Sequence, residues 1–498
     1  MRLFRAVPAL ALALAAAPVA AQQAAECPVD VYTPNQLAQA GLMINRAVQA
    51  GESPDAQKSL RDAMKFLQDE KKLAANPVGA AYQRAQIYIL WMHQDGIGEQ
   101  MTVEQLNAKG TKGQTINIFE AAVAALKDVD ALSPACAAET AQWRGSKPFI
   151  DRINKAYTFL GADALDSASY YAERSAMLNP NSAFVLNAQA QVAFKRGDVP
   201  KMLGHLRAAI TEASKDTSLA ETKKQMQFQL AQTAKDYAMT GGAADKAALT
   251  KESLAMFTEL LREFAATTEG SYAFSAASEM IAAAQDTAAA KALLAPMVAD
   301  ASPYHDLTLQ LAADVARMFG RTDDAMAMYR GALAKNPNIR DANYFLAYMY
   351  YEAKQPDKMM PLTEKLMEVD PSNGDNFLMR AYAYSLMSGV EKDAKKKAEL
   401  LKMQDEFAGK EAMLAAQHKL TVSRFERKAE GGTLAGQIEN FTKSAKTYAL
   451  TMHFLDASGA VVESVSTEVA AVKAGDRGTF EIKATKAGIV AYKYDALK

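Results

Sequence analysis

Two cysteines, five histidines and a large set of carboxylates are the side chains with chemistry to offer, and their spacing decides what kind. Cys27 and Cys136 form an isolated pair, which in an oxidising compartment is most simply a disulfide. Two free thiols are the competing reading. A thiol nucleophile needs a histidine in a recognisable pattern, and neither cysteine has one. His93, His205, His305, His418 and His453 fall in different segments. No two share metal-ligand spacing and there is no His-Glu-x-x-His. The run Gly110-Thr-Lys-Gly-Gln-Thr115 has the residue types of a phosphate loop but lacks its glycine spacing and a preceding strand, so it reads as a plain loop. There is no Gly-x-Ser-x-Gly elbow. The acidic residues sit on solvent faces without a recognisable glycosidase pair, and Asn440-Phe-Thr442 is a sequon of no evident use. The expectation is no catalytic residue, no metal and no cofactor.

The chain ends and bulk composition say where such a protein works. Arg2 and Arg5 precede an apolar run from Val7 to Ala17, followed by small residues to Ala21. This is the pattern of a secretory leader cleaved after Ala21; a membrane anchor would need about 20 apolar residues. Glu26 stands before Cys27, where a lipoprotein signal wants a small residue. No later segment is apolar for long enough to span a bilayer. The expected compartment is the periplasm or the exterior, with the protein at most envelope-associated. Lys plus Arg number 56 against 57 Asp plus Glu; without Arg2 and Arg5 the net charge is −3. Near-neutrality argues against a nucleic-acid partner. A length of 498 residues exceeds one compact core and calls for several domains or a solenoid.

Internal periodicity supplies the elements that must position any site. Pro337 and Pro371 lie 34 residues apart, each after a helical segment. From Asp306, small or apolar residues recur at Leu309, Ala312, Ala313, Ala316, Gly320, Ala325, Tyr329 and Ala332. Small residues belong where two helices cross closely, Gly320 suits a left-handed helix stop, and Pro337 ends the second helix. The pattern returns at Leu346, Ala347, Tyr350, Leu366 and Pro371, departing at Met359, and again at Phe377, Ala381, Tyr384 and Gly389 before a long charged helix to Gln417. Upstream, Leu186, Ala190, Ala193, Gly197, Leu206 and Ala209 form another unit, after Ala168, Ala172 and Pro180 of a preceding one. Residues 219–270 suit a longer hairpin joined at Gly241-Gly242, and 271–301 a degenerate unit. This register resembles the tetratricopeptide repeat family over residues 147–417. The resemblance implies an α-α superhelix, a helical solenoid.

Before it, residues 22–146 read as divergent helical hairpins. Helices start at Ser53-Pro54 and Asn76-Pro77, and Gly96 to Gly113 reads as an irregular loop. After His418 apolar and polar residues alternate between frequent turns, which predicts a small all-β sandwich over 418–498. Six or so strands are too few for an outer-membrane barrel. The run Leu450-x-Met452-x-Phe454-Leu455-Asp456-x-x-Gly459-x-Val461, with Lys473-Ala474-Gly475 and Phe480-Glu481-Ile482, resembles the FxLYD-type immunoglobulin-like module, with Leu455 in place of its tyrosine.

The repeat resemblance also implies a concave face lined by first-helix side chains. These are Leu307, Gln310, Asp314 and Arg317; Asp341, Tyr344, Tyr348 and Tyr351; and Asp375, Leu378, Tyr382 and Ser385, with Asn187, Gln191 and Lys195 earlier. Tyrosine pairs a large apolar surface with a polar tip, which suits a protein-binding groove. The alternative is that these rings pack between helices, as Tyr350 and Tyr384 are expected to. The 24 methionines read as adaptable core filling. The leading expectation is a non-catalytic exported scaffold that binds a protein or peptide in this groove, with the sandwich as a second contact or a spacer. A cell-wall or carbohydrate-polymer binder is the alternative, disfavoured by having only Trp91 and Trp143 for sugar stacking. A hydrolase with an unrecognised carboxylate pair comes third.

Overall fold

Among the described residues, five helix–helix turns share one backbone solution. Asp163, Gly197, Gln285, Gly320 and Lys354 adopt φ between +52° and +78°. In each, the next amide donates to the carbonyl five residues back: Ala164 to Phe159, Asp198 to Ala193, Asp286 to Ile281, Arg321 to Ala316 and Gln355 to Tyr350. This left-handed stop closes one helix so that the chain can return antiparallel. Glycine adopts it freely at 197 and 320; a side chain with a Cβ costs about 1 kcal/mol there. Asp163 and Gly197, and Gly320 and Lys354, lie 34 residues apart, so the period belongs to the backbone as well as to side-chain type.

The computed structural model describes residues 27–240 and 245–497. The leader and Gly241-Gly242 lie outside them. The chain divides into two compact units, up to Lys223 and from Lys224.

The first unit holds α1 (Asn35–Ala50), α2 (Pro54–Phe66), α3 (Glu70–Leu73), α4 (Pro77–His93), β1 (Gln100–Thr102), α5 (Val103–Leu106), β2 (Thr115–Asn117), α6 (Ile118–Leu132), α7 (Ala137–Arg144), α8 (Lys147–Gly161), α9 (Leu165–Leu178), α10 (Ala183–Lys195) and α11 (Val199–Ala213). Side-chain caps start α2 and α4: Ser53 Oγ accepts from the Ala56 amide, and Asn76 Oδ1 from that of Gly79. Asn76 also donates to the carbonyls of Pro28 and Val31. Beside it Cys27 and Cys136 form a disulfide, packed with Val29, Val78, Tyr82 and Val129. The stretch from Gly96 to Gly113 is not the irregular loop expected. Strands β1 and β2 pair antiparallel around α5, whose start is set by a capping box between Thr102 and Gln105.

The second unit holds α12 (Ala220–Met239, which carries the division), α13 (Lys246–Glu263), α14 (Thr268–Ala284), α15 (Thr287–Ala299), α16 (Asp306–Met318), α17 (Thr322–Lys335), α18 (Arg340–Glu352), α19 (Pro356–Val369), α20 (Gly374–Val390) and α21 (Ala394–Ala415). One apolar cluster runs from Ala231 to Ala383 through the crossing residues of successive hairpins, Leu309, Ala313, Tyr329, Leu346 and Met359 among them. Met359 replaces the small residue of the register and is fully buried; its unbranched chain fits the gap. Among the described residues no helix is long and apolar enough to cross a membrane.

From α21 the chain enters strands with no linker, and Gln417 O accepts from the Phe441 amide. The strands are β3 (His418–Arg427), β4 (Gly432–Asn440), β5 (Lys446–Leu455), β6 (Val461–Val472), β7 (Arg477–Ala484) and β8 (Ala491–Tyr494). They form two antiparallel three-stranded sheets, β3-β4-β7 and β6-β5-β8. Alternate residues point inward: Leu434, Ile438, Phe480 and Ile482 meet Leu450, Met452 and Phe454. The Asp456-x-x-Gly459 run is the β5–β6 turn, where Asp456 Oδ1 accepts from the amides of Ser458 and Ala460. Asn440 is fully buried. It binds the carbonyls of Ser444 and Val472 and accepts from Tyr448, so the sequon is a structural node. The fold is therefore helical hairpins in tetratricopeptide-like register followed by a small β-sandwich.

Candidate functional site

Three successive inter-repeat turns in the second unit end in polar residues that hold the sandwich. Asp306, the first residue of α16, accepts two contacts from Arg427 Nη1 at 2.8 and 2.9 Å and one from Asn336 Nδ2 at 2.9 Å. Its side chain and that of Arg427 expose only 9% and 11%. Burial would push the Asp306 carboxyl up; the His305 hydrogen bond, the Arg427 charge and the Asn336 bond outweigh it and hold the group well below the usual carboxylate range. Asn336 also donates to Val490 O. One repeat later, at the same register position, Asp370 accepts from Tyr494 Oη, from Arg340 Nε at 2.6 Å and from Asn373 Nδ2 at 2.8 Å. The amide of Leu497 donates to Ser372 Oγ, and Lys493 lies 3.4 Å from Glu368. The sandwich is thus tied to the repeats through β8 and β3.

This docking leaves a trench between the side of the sandwich and the concave positions of the repeats. A cavity of about 410 Å³ lies between Leu307, Gln310 and Asp341 on one wall and Val422 to Arg427 on the other. A second, of about 250 Å³, lies between Arg340, Asp341 and Asp375 and the residues Lys419 to Val422.

Beyond the trench the remaining concave positions form an aromatic cluster. Tyr351 stacks on Tyr382 with centroids 5.0 Å apart and meets Tyr348 at 6.4 Å. Tyr348 and Tyr382 are 42% and 38% exposed, while Tyr344 and Tyr351 are half-buried. Tyr348 Oη donates to Glu352 at 2.8 Å. Tyr350, at a core position, is buried, and Tyr384 is half-buried against Phe407. Arg317 lies 4.2 Å over the Phe345 ring. Leu378 is half-buried, and Ser385 is exposed.

Two expected groove residues have other work. Asp314 accepts from Tyr329 Oη, a core tyrosine, and burial pushes its carboxyl up. Lys195 pairs with Asp163 at 2.7 Å; counting from Gly197 as from Gly320, the concave position belongs to Phe194, which is 53% exposed. Phe184, at the position equivalent to Leu307, is exposed too. Strict register counting would have found both. Asn187 reaches Tyr157 Oη at 3.3 Å, and Gln191 is half-buried.

Two constellations could suggest catalysis. Ser464 Oγ lies 2.8 Å from His453 Nδ1, and His453 Nε2 lies 3.0 Å from Asp495 Oδ1. The side-chain types are those of a nucleophile, base and orienting acid, brought together from β6, β5 and the end of β8. Ser464 and Asp495 are both exposed, as in a surface hydrogen-bonded trio. Among the described residues the one cluster close enough to ligate a metal is Cys27, Cys136 and Glu139, and the disulfide occupies both sulfurs.

No family model matches the chain, and no curated protein matches it. Among solved structures it is similar to a tetratricopeptide repeat protein from Parabacteroides merdae, at 16% identity over 52% of this chain and 100% of that one, with a TM-score of 0.27. It is also similar to the P58(IPK) TPR domain, at 15% identity over 75% and 98% of the two chains and a TM-score of 0.17. A third is the TPR2AB domain of yeast Sti1 in its pHSP90 complex, at 14% identity over 54% and 100%, with a TM-score of 0.18. At such scores the repeat assignment rests on the chain's own 34-residue turns.

Proposed function

We propose that this chain is a non-catalytic, exported scaffold that captures a protein or peptide partner on the concave tyrosine face of α18 and α20. The observation carrying the reading is the stack of Tyr348, Tyr351 and Tyr382, in which Tyr351, like Tyr344, packs against the core while the rings of Tyr348 and Tyr382 stay substantially in solvent. Preformed aromatic surface with polar tips is the material of binding hot spots. Export is supported by the leader pattern, and the FxLYD-type label for the sandwich by the Leu455-Asp456-x-x-Gly459 turn. The test is recovery of crosslinked partner from envelope extract by wild type and by a Tyr348→Ala, Tyr382→Ala double variant, with circular dichroism confirming that both fold. Equal recovery by the two would sink the assignment of the face.

A further inference from the structure

We infer that the trench receives its partner as an added β-strand on the outer edge of β3, which goes beyond the tyrosine face proposed above and rests only on the chain's binding a protein or peptide. Strand β3 ends its sheet, in the order β3-β4-β7. Among the described residues, Lys419 to Arg427 make main-chain hydrogen bonds only with β4. The other side of this nine-residue run therefore presents alternating donors and acceptors. At about 3.3 Å per residue the free edge is roughly 30 Å long.

The two cavities follow that edge end to end, the smaller beside Lys419 to Val422 and the larger beside Val422 to Arg427, and both touch Asp341 and Tyr492. A free edge is ordinarily a liability for sheet-on-sheet aggregation. Here α16 and α18 face it across the trench, and the register shift between Val422 and Arg424 bends it. A single strand, seated about 4.8 Å from β3, is the smallest element that pairs with this edge.

The walls also define the side chains. Leu307 and Val422 offer apolar contact in the larger cavity, beside Arg340, Arg424 and Arg427 set against Asp341 and Glu426, one positive charge in excess. In the smaller, Asp341, Asp370 and Asp375 face Arg340 and Lys419, one negative charge in excess. The occupant is an extended peptide with alternating apolar residues and a lysine or arginine near one end, free of proline at its pairing positions.

The probe is a library of random peptides of about twelve residues, the length of a long strand, selected on the immobilised full chain. The best binder is then resynthesised with one backbone N-methyl group at a time. Strand addition predicts loss of about tenfold in affinity at every second residue and less than about twofold at those between, since each pairing amide makes one hydrogen bond. A photoreactive group in the peptide should label residues 419–427. Failure to select any peptide, tolerance of N-methylation throughout, or losses spaced three to four residues apart would overturn the inference. So would a sedimentation experiment showing a dimer that the peptide dissociates, which would make a second copy the occupant. The Tyr348→Ala, Tyr382→Ala variant separates the two readings. Lost binding without a two-residue N-methyl pattern keeps the tyrosine face and removes the edge. An unchanged pattern in that variant keeps the edge and removes the face.

Discussion

Replacing Arg427 with methionine preserves most of the side chain's bulk and removes its charge. Asp306 would then keep His305, Asn336 and the amide of Leu307 as partners but lose its two contacts at 2.8 and 2.9 Å in a site that exposes only 9% of the carboxylate. Stranding one partner of a buried pair costs about 3–5 kcal/mol, and the surviving donors place this case near 3. The sandwich retains Val490 on Asn336, Tyr494 on Asp370 and Leu497 on Ser372. The effect should therefore appear as lost protection around the site rather than detachment. Hydrogen exchange on peptides spanning 303–310 and 421–428 reports it locally, and urea unfolding reports it globally. The sign with pH follows from Asp306, whose folded carboxyl lies below its unfolded value of about 3.9. Its contribution is present above that value and fades as pH falls below it, so the gap between wild type and Arg427→Met should narrow near pH 3. An Asp306→Asn, Arg427→Met double variant should lose less than the single one. A single-variant cost below about 0.5 kcal/mol, or a gap indifferent to pH, would refute the reasoning.

Cys27→Ser with Cys136→Ser opens a loop of 109 residues and should lower stability by about 2–5 kcal/mol, read as a reduced urea midpoint for the first unit. His418 is buried at the α21–β3 junction, and among the described residues neither ring nitrogen has a hydrogen-bond partner; burial, then the Lys446 charge, lower its proton affinity. Its stabilising effect is complete above about pH 6.5 and declines below it. His418→Leu should flatten the fall in Tm between pH 7 and 5, though only in part because His93 and His205 are shifted the same way. Lys354→Gly should stabilise by up to about 1 kcal/mol, since its φ of +54° strains a side chain, and Gly320→Ala should cost about as much. Thermal melts of both variants check this pair.

The repeats were legible because close helix crossings demand small residues, and Leu309, Ala313, Gly320 and Pro337 advertise them at fixed spacing. The same turn at Lys354 and Gln285 is invisible, since neither residue type favours the left-handed region and tertiary packing imposes it. Strands of three residues at β1 and β2 are too short to show alternation. The six sandwich strands are long enough, but their docking was not legible. Asp306, Asn336 and Asp370 look in sequence like ordinary helix-end polar residues, and only the fold reveals that they reach Arg427, Val490 and Tyr494. The tyrosine positions followed from the register. That Asp314 is engaged by Tyr329 did not, because the register assigns the two to different faces.

The absence of a linker between α21 and β3, together with the ties at Asp306, Asn336, Asp370 and Ser372, has a mechanical consequence. A stack of helical hairpins held only by neighbour contacts behaves as a spring, free to twist and stretch by small shears at each junction. Here a stiff pair of sheets spans three junctions in parallel with that spring and sets its rest length. The segment from α16 to α20 should deform and melt as one block, and a ligand seated beside it meets a surface whose compliance has already been removed.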